Sequence, residues 1–240
     1  LPQTNKEIMH RFYFESQIKD DVLTLHDSDQ IKQMKKVLRL SEGDRIILFD
    51  NSGYDFDCEI VTMEVKAMKL RVLHKTKGIG FKKECTLYMA LLKKDNFELV
   101  LQKAVELGAS KVVPVVTERC VKNTISDNQY ERYRSIVKEA TEQSEGSMLP
   151  ELGELRTYAQ ALDEVPLDTL NLIFNAREDA LHIQDIDLDR KVTLFIGPEG
   201  GFTPQELEEA QGKGLISVSL GRRILRAETA AIATLAKVLI

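Results

Sequence analysis

Cysteine is scarce in this chain. Cys58, Cys85 and Cys120 are odd in number and scattered without metal-ligand spacing, which argues against a disulfide framework and for ordinary reduced thiols. Histidine is equally sparse, with four in 240 residues. No histidine, cysteine and carboxylate cluster has the spacing of a metal site, so no metal is expected. Long apolar runs are missing too: none approaches the roughly 20 residues that a membrane-spanning helix needs. The opening LPQTNKEIMHRFYF lacks the basic patch and apolar core of a signal peptide, and a cytoplasmic location is expected. Excess positive charge is also absent. The net charge is −5, residues 1–75 carry 12 basic and 13 acidic side chains, and residues 76–240 carry 21 and 25. Neither part is a basic module, so any contact with nucleic acid has to come from a local patch.

What is present is a length and a conventional apolar fraction sufficient for one large domain or two smaller ones. Residues 1–75 hold short strand candidates, RFYF (Arg11 to Phe14), RIILFD (Arg45 to Asp50), DFDCEIVTME (Asp55 to Glu64) and KLRVLH (Lys69 to His74), with the turn signal NSGYD between two of them. A helix from about Ser28 to Leu40 interrupts them, capped by Asp27 or Ser28. This pattern predicts a small β-rich barrel with a helical insertion. The polar segment TKGIGFKKE, residues 76–84, is the best linker. From residue 76 to residue 240 the rhythm becomes strand and helix in turn: CTLYMALL, a helix Asn96 to Leu107, KVVPVVTE, a helix Asn128 to Gln143, LNLIFNA, VTLFIGP, a helix Pro204 to Gln211, LISVSLG and a helix Ala227 to Val238. Short apolar strands alternating with amphipathic helices predict an α/β domain with a mostly parallel sheet covered on both faces.

Two glycine turns carry the chemistry. IGPEGGFTPQEL, Ile196 to Leu207, joins an apolar strand to a helix, where α/β proteins place their ligands. It has no lysine followed by a hydroxyl residue, as a phosphate loop requires, and the carboxylate of Glu199 disfavours an anion. A tight connection without a ligand and a pocket for a neutral or cationic small molecule both fit. SLGRRILRAETA, Ser219 to Ala230, follows a second strand and gathers Arg222, Arg223 and Arg226 after Gly221. Arg119 follows another strand end in TERC, Lys93 comes just after CTLYMALL, and Glu142 and Gln143 lie in EATEQSEGS. No serine occupies a nucleophile elbow. A transferase whose ligand supplies the reactive group fits these resources better than hydrolysis.

Several motifs in order, LQKAVELGASKVVPVVTER, EATEQS, the LP at Leu149 and Pro150, LFIGPEGGFTPQEL and LGRRILRAETAAIATL, span most of residues 90–240. With RFYF, VLRL and Gly43–Asp44, they resemble the RsmE family of 16S ribosomal RNA (uracil-N3)-methyltransferases. The resemblance implies a PUA-like RNA-binding β-barrel over residues 1–75 and a SPOUT α/β methyltransferase domain with a C-terminal trefoil knot over residues 76–240, in a homodimer. It implies S-adenosylmethionine as cofactor and the small-subunit 16S rRNA as partner, with U1498 as the uridine.

Carried onto this chain, the cofactor loops are LIFNARE (Leu172 to Glu178), with Leu172, Phe174 and Asn175; IGPEGG, with Ile196, Gly197, Pro198, Glu199, Gly200 and Gly201; and SLGRRIL, with Leu220, Gly221, Arg223, Ile224 and Leu225. Arg226, then Arg119, is expected to stabilise the uridine anion, and Glu199 or Glu142 to take the proton. Arg11, Lys93, Arg119, Arg222 and Arg226 are the expected RNA contacts. The chain departs from the family pattern at Gly146, where arginine is usual, and at Arg222, where proline is common. The competing expectations are a SPOUT enzyme for another rRNA or tRNA base, and a noncatalytic RNA-binding or ribosome assembly protein.

Overall fold

The computed structural model describes residues 9–93, 95–175 and 180–240. It divides into two compact units, 1–80 with 141–148, and 81–140 with 149–240.

The first unit is a five-stranded sheet in the order β1-β3-β4-β5-β2, built from β1 (Arg11–Tyr13), β2 (Val22–Leu25), β3 (Arg45–Phe49), β4 (Tyr54–Met63) and β5 (Met68–Lys77). Neighbours are antiparallel except for the β1–β3 pair. Alternation along β4 sends Phe56, Cys58 and Ile60 into a core shared with Ile46, Leu48, Met68 and Leu70, as the two-residue period of a strand requires. The helix α1 (Ser28–Lys32) begins where Asp27 accepts the N–H groups of Asp29 and Gln30, and a π-helical turn, Gln33–Val37, continues it. The helix seats Ile31 and the turn seats Met34 in the same core.

The boundary between the units, at Gly80 and Phe81, falls inside the segment expected as a linker, and the part before it is tied into this unit. Gly78 N–H donates to the Gly53 carbonyl, Ile79 N–H to Ser147 Oγ and Ser147 N–H to the Ile79 carbonyl. A Cβ on Gly78 would lie within 2.4 Å of the Ser147 side chain, so only glycine permits this approach.

The second unit is an all-parallel sheet in the order β11-β13-β10-β12-β6-β7-β8, with β9 also paired to β7. Its strands are β6 (Cys85–Ala90), β7 (Lys111–Val116), β8 (Glu151–Leu152), β9 (Arg156–Thr157), β10 (Leu170–Phe174), β11 (Leu181–His182), β12 (Val192–Ile196) and β13 (Ile216–Ser219). The helices are α2 (Asn96–Leu107), α3 (Asp127–Gln143), α4 (Tyr158–Asp163), α5 (Pro204–Gly212) and α6 (Ala227–Leu239). Alternation again decides the layers. Val192, Leu194 and Ile196 face the core under α2, α3 and α6, whereas Phe195 faces the opposite core with Leu207 and Ala210 of α5 and Ala161 and Leu162 of α4. Both faces are therefore covered, which explains why β12 is buried at every position. Among the described residues no helix is long and apolar enough to cross a membrane.

Candidate methyl-donor pocket

Three strand ends in the second unit open onto one cavity of about 360 Å³. Phe174 and Asn175 follow β10, the loop from Ile196 to Phe202 follows β12, and Ser219 to Leu225 follows β13. This is the carboxyl edge of a parallel sheet, where open α/β folds bind their ligands. Of the residues expected to hold the cofactor, all except Leu172 line the cavity, and Leu172 lies wholly buried in the core beneath it. Ala176 to Glu178 of the expected loop fall outside the described residues. Phe202, Leu207, Ser219, Ala227 and Ala230 also line the cavity. Phe202 and Leu207 belong to the core under α5 and carry no polar chemistry, so nothing in their residue type marked them in advance.

The two glycine turns have backbone shapes that other residues resist. Gly201 has φ +66° and Gly221 φ +121°, and the second angle lies in a region essentially reserved for glycine. Thr203 then caps α5: its hydroxyl accepts the Glu206 N–H, the Glu206 carboxylate accepts the Thr203 N–H, and Pro204 occupies the first helical position. The cap fixes where the loop ends and the helix begins.

The charged candidates separate into distinct environments. Glu199 lines the cavity, and its Oε1 accepts the Lys93 N–H at 3.0 Å, tying the loop to the end of β6. Arg119 points at the same loop from behind: its Nη1 donates to the Gly200 carbonyl at 2.8 Å and reaches the Phe202 carbonyl at 3.4 Å. Arg222, Arg223 and Arg226 are exposed and unpaired among the described residues, and Arg223 lines the cavity. Arg226 is the N-cap residue of α6, with its side chain making no capping bond.

Two further candidates lie in the first unit. Glu142 accepts the Tyr13 N–H at 2.9 Å. Arg11 forms a forked pair with Asp55, at 2.8 and 2.9 Å, and also donates to the Gly146 carbonyl and Ser147 Oγ. Its side chain is only 7% exposed, so this guanidinium is engaged inside the protein. Among the described residues no three histidine, cysteine or carboxylate groups come together as a metal site.

The cavity suits a compact ligand with a neutral ring and a cationic centre. Phe174, Ile196, Phe202, Leu220 and Leu225 provide apolar walls, the two glycine turns form part of the lining, and Glu199 supplies a carboxylate. Its volume is within the range of small-molecule sites.

Comparison with known proteins agrees with this geometry. Residues 81–239 match the family model for an RNA methyltransferase domain, and residues 27–73 match that for an RNA methyltransferase PUA domain. The chain is 33% identical to the ribosomal RNA small subunit methyltransferase E of Rickettsia conorii, over 95% of this chain and 94% of that one. It is 34% identical to that of Synechocystis, over 87% and 70%. The crystal structure of the Neisseria gonorrhoeae enzyme of the same name, bound to S-adenosylmethionine, superposes with a TM-score of 0.87, at 32% identity and 95% coverage of each chain. A Legionella pneumophila methyltransferase in complex with the same cofactor gives 0.88 at 28% identity and 96% coverage of each. The chain belongs to the RsmE family of ribosomal RNA small subunit methyltransferases, within the SPOUT superfamily.

Proposed function

We propose that this protein transfers a methyl group from S-adenosylmethionine to N3 of a single uridine of 16S rRNA, the family's U1498, acting as a cytoplasmic homodimer whose closing segments thread into a trefoil knot. The observation that carries the reading is the convergence of the loops after β10, β12 and β13 on one cavity with apolar walls and, among the described residues, one carboxylate, Glu199. When bound, the cofactor supplies a methyl group on a cationic sulfur. The apolar walls would take the adenine, the glycine turns would let the backbone approach it closely, and the Glu199 carboxylate would complement the positive charge.

Uridine N3 bears a weakly acidic proton that has to be lost before or during attack, and the negative charge it leaves behind spreads onto O2 and O4. As the N–C bond forms, the methyl–sulfur bond breaks and its electron pair stays on sulfur, which leaves as a neutral thioether. Arg226 is exposed beside the cavity loop and free of internal partners, and we assign it the stabilisation of that charge. Of the two carboxylates considered for the proton, Glu199 lines the cavity while Glu142 is bonded to Tyr13 in the first unit. We assign the proton to Glu199, from which it passes to solvent. Lys93, Arg222 and Arg226 remain as the RNA contacts, because Arg11 and Arg119 spend their guanidinium groups on internal partners. Incubation with labelled S-adenosylmethionine and 30S subunits from cells lacking the modification, followed by mapping of the labelled base, tests the reading. Label on a different base supports a SPOUT enzyme with another target, and no label supports a noncatalytic binding protein.

A further inference from the structure

The loop that lines the cavity is held from outside by residues that do not line it. Glu206 is a buried carboxylate, 6% exposed. Its Oε2 accepts the Thr203 N–H at 2.8 Å, which is the ordinary capping-box bond, but its Oε1 accepts the N–H of Glu118 at 2.8 Å, from the chain just after β7. Two main-chain donors aim at one side chain, so the site requires a group with two acceptors and no donor. A glutamine at this position would turn an amide N–H₂ toward one of them. The next residue along the chain is Arg119, whose guanidinium reaches the Gly200 and Phe202 carbonyls. A Cβ on Gly200 would stand 3.2 Å from Arg119 Cβ and 3.3 Å from its Cδ. The arginine stem therefore packs closely against Gly200, where a side chain would make it shift by a few tenths of an ångström. Tyr158 completes the attachment by donating its hydroxyl to the Glu206 carbonyl at 2.6 Å.

We infer that Glu206 and Arg119 are positioning residues that hold the backbone of the loop from Gly197 to Thr203 in its ligand-ready shape, an inference that rests on reading the cavity as the methyl-donor site. Neither side chain is part of the cavity lining, so each acts through the loop. A loop fixed before binding loses little freedom when the ligand enters, and this preorganisation appears as affinity. Without either attachment the loop has to be ordered by the cofactor itself. The loss then falls on cofactor binding, while the reacting groups at the cavity mouth keep their chemistry once the site is filled.

The test uses the full-length protein, with S-adenosylmethionine affinity measured by calorimetry for wild type, Glu206→Gln, Arg119→Ala and Arg119→Lys. The expected result is a dissociation constant raised about tenfold or more in Glu206→Gln and Arg119→Ala, with an intermediate value for Arg119→Lys, which keeps a charged donor group but not the planar fork. Turnover at saturating cofactor stays within about threefold of wild type, because the preorganised state is restored by binding. Amide hydrogen exchange without ligand gives a second readout: the Thr203 and Glu118 amides exchange faster in Glu206→Gln. Should that variant not fold, Arg119→Ala decides, since its side chain is exposed. A wild-type protein that does not bind the cofactor overturns the reading of the cavity. Wild-type binding with unchanged affinity in the folded variants overturns the positioning role.

Discussion

Glu206 Oε1 accepts the backbone N–H of Glu118 at 2.8 Å across 88 positions of sequence. Through this bond and the adjacent Arg119, the end of β7 is fastened to the loop after β12, while Glu199 fastens that loop to the end of β6 at Lys93. A seven-residue glycine-rich turn would otherwise be free to sample many shapes. The attachments explain how a segment so rich in glycine presents a defined cavity wall.

Arg226→Ala should separate binding from turnover. The side chain makes no internal bond among the described residues, so its removal leaves the fold intact and cofactor affinity within about threefold. Turnover with saturating cofactor and 30S subunits should fall by about a hundredfold or more, the scale for losing one donor to a developing anion. Equal turnover would remove Arg226 from the reaction.

Gly221→Ala tests the backbone shape of the second turn. At φ +121° a side chain costs on the order of 1–3 kcal/mol of local strain. The turn escapes by changing shape, so cofactor affinity is expected to fall about 5- to 150-fold, as that range of energy implies. Calorimetric binding indistinguishable from wild type would show that the Gly221 conformation is not needed.

Arg11→Ala should behave as a stability mutation. The Arg11–Asp55 pair is largely buried and carries the Gly146 carbonyl and Ser147 hydroxyl with it, so removing the arginine leaves a carboxylate without its partner and costs about 3–5 kcal/mol. Thermal unfolding checks this. The salt dependence of RNA binding, which counts phosphate contacts, is expected to keep its slope. A lower slope without loss of stability would return Arg11 to the RNA contacts.

Alkaline pH should weaken the fold through two thiols. Burial pushes both Cys58 and Cys85 from the ordinary value of 9.0 up to about 12. Between those values the unfolded chain has lost the thiol protons that the folded chain keeps. Stability is therefore fully present below about pH 9 and declines as pH rises toward 12. A melting temperature followed from pH 7 to 11 should fall above pH 9, and replacing both cysteines with alanine should flatten part of that fall. An unchanged slope in the double variant would contradict the assignment.

The elements that could be read from sequence are those whose signals are local. Asn96 to Leu107 carries an apolar stripe and ends at Gly108, which takes φ +90°. Thr203, Pro204 and Glu206 mark the start of α5 by residue type and spacing alone. By contrast, β2 is a four-residue strand that, among the described residues, pairs only with β5 and buries fully only Leu25, and α4 has six residues. Neither offers enough periodicity to stand out. Residues 141–148 belong to the first unit, where bonds from distant positions meet them, such as Tyr13 N–H to Glu142 and Arg11 to the Gly146 carbonyl from 135 positions away. For the site, the glycine turns announced the cavity walls, but the direction of Arg119 could not be read. An arginine after a strand end suits a substrate or a neighbouring loop equally well, and its bond to Gly200 spans 81 positions.

The central claim is methyl transfer to uridine N3. The most direct measurement is mass-spectrometric mapping of 16S rRNA after incubation of this protein and S-adenosylmethionine with 30S subunits from cells lacking the modification. The predicted result is one added methyl group on N3 of U1498, formed about a hundredfold or more slower by Arg226→Ala. A methyl group on another base, or none with a cofactor-bound wild-type protein, would contradict it.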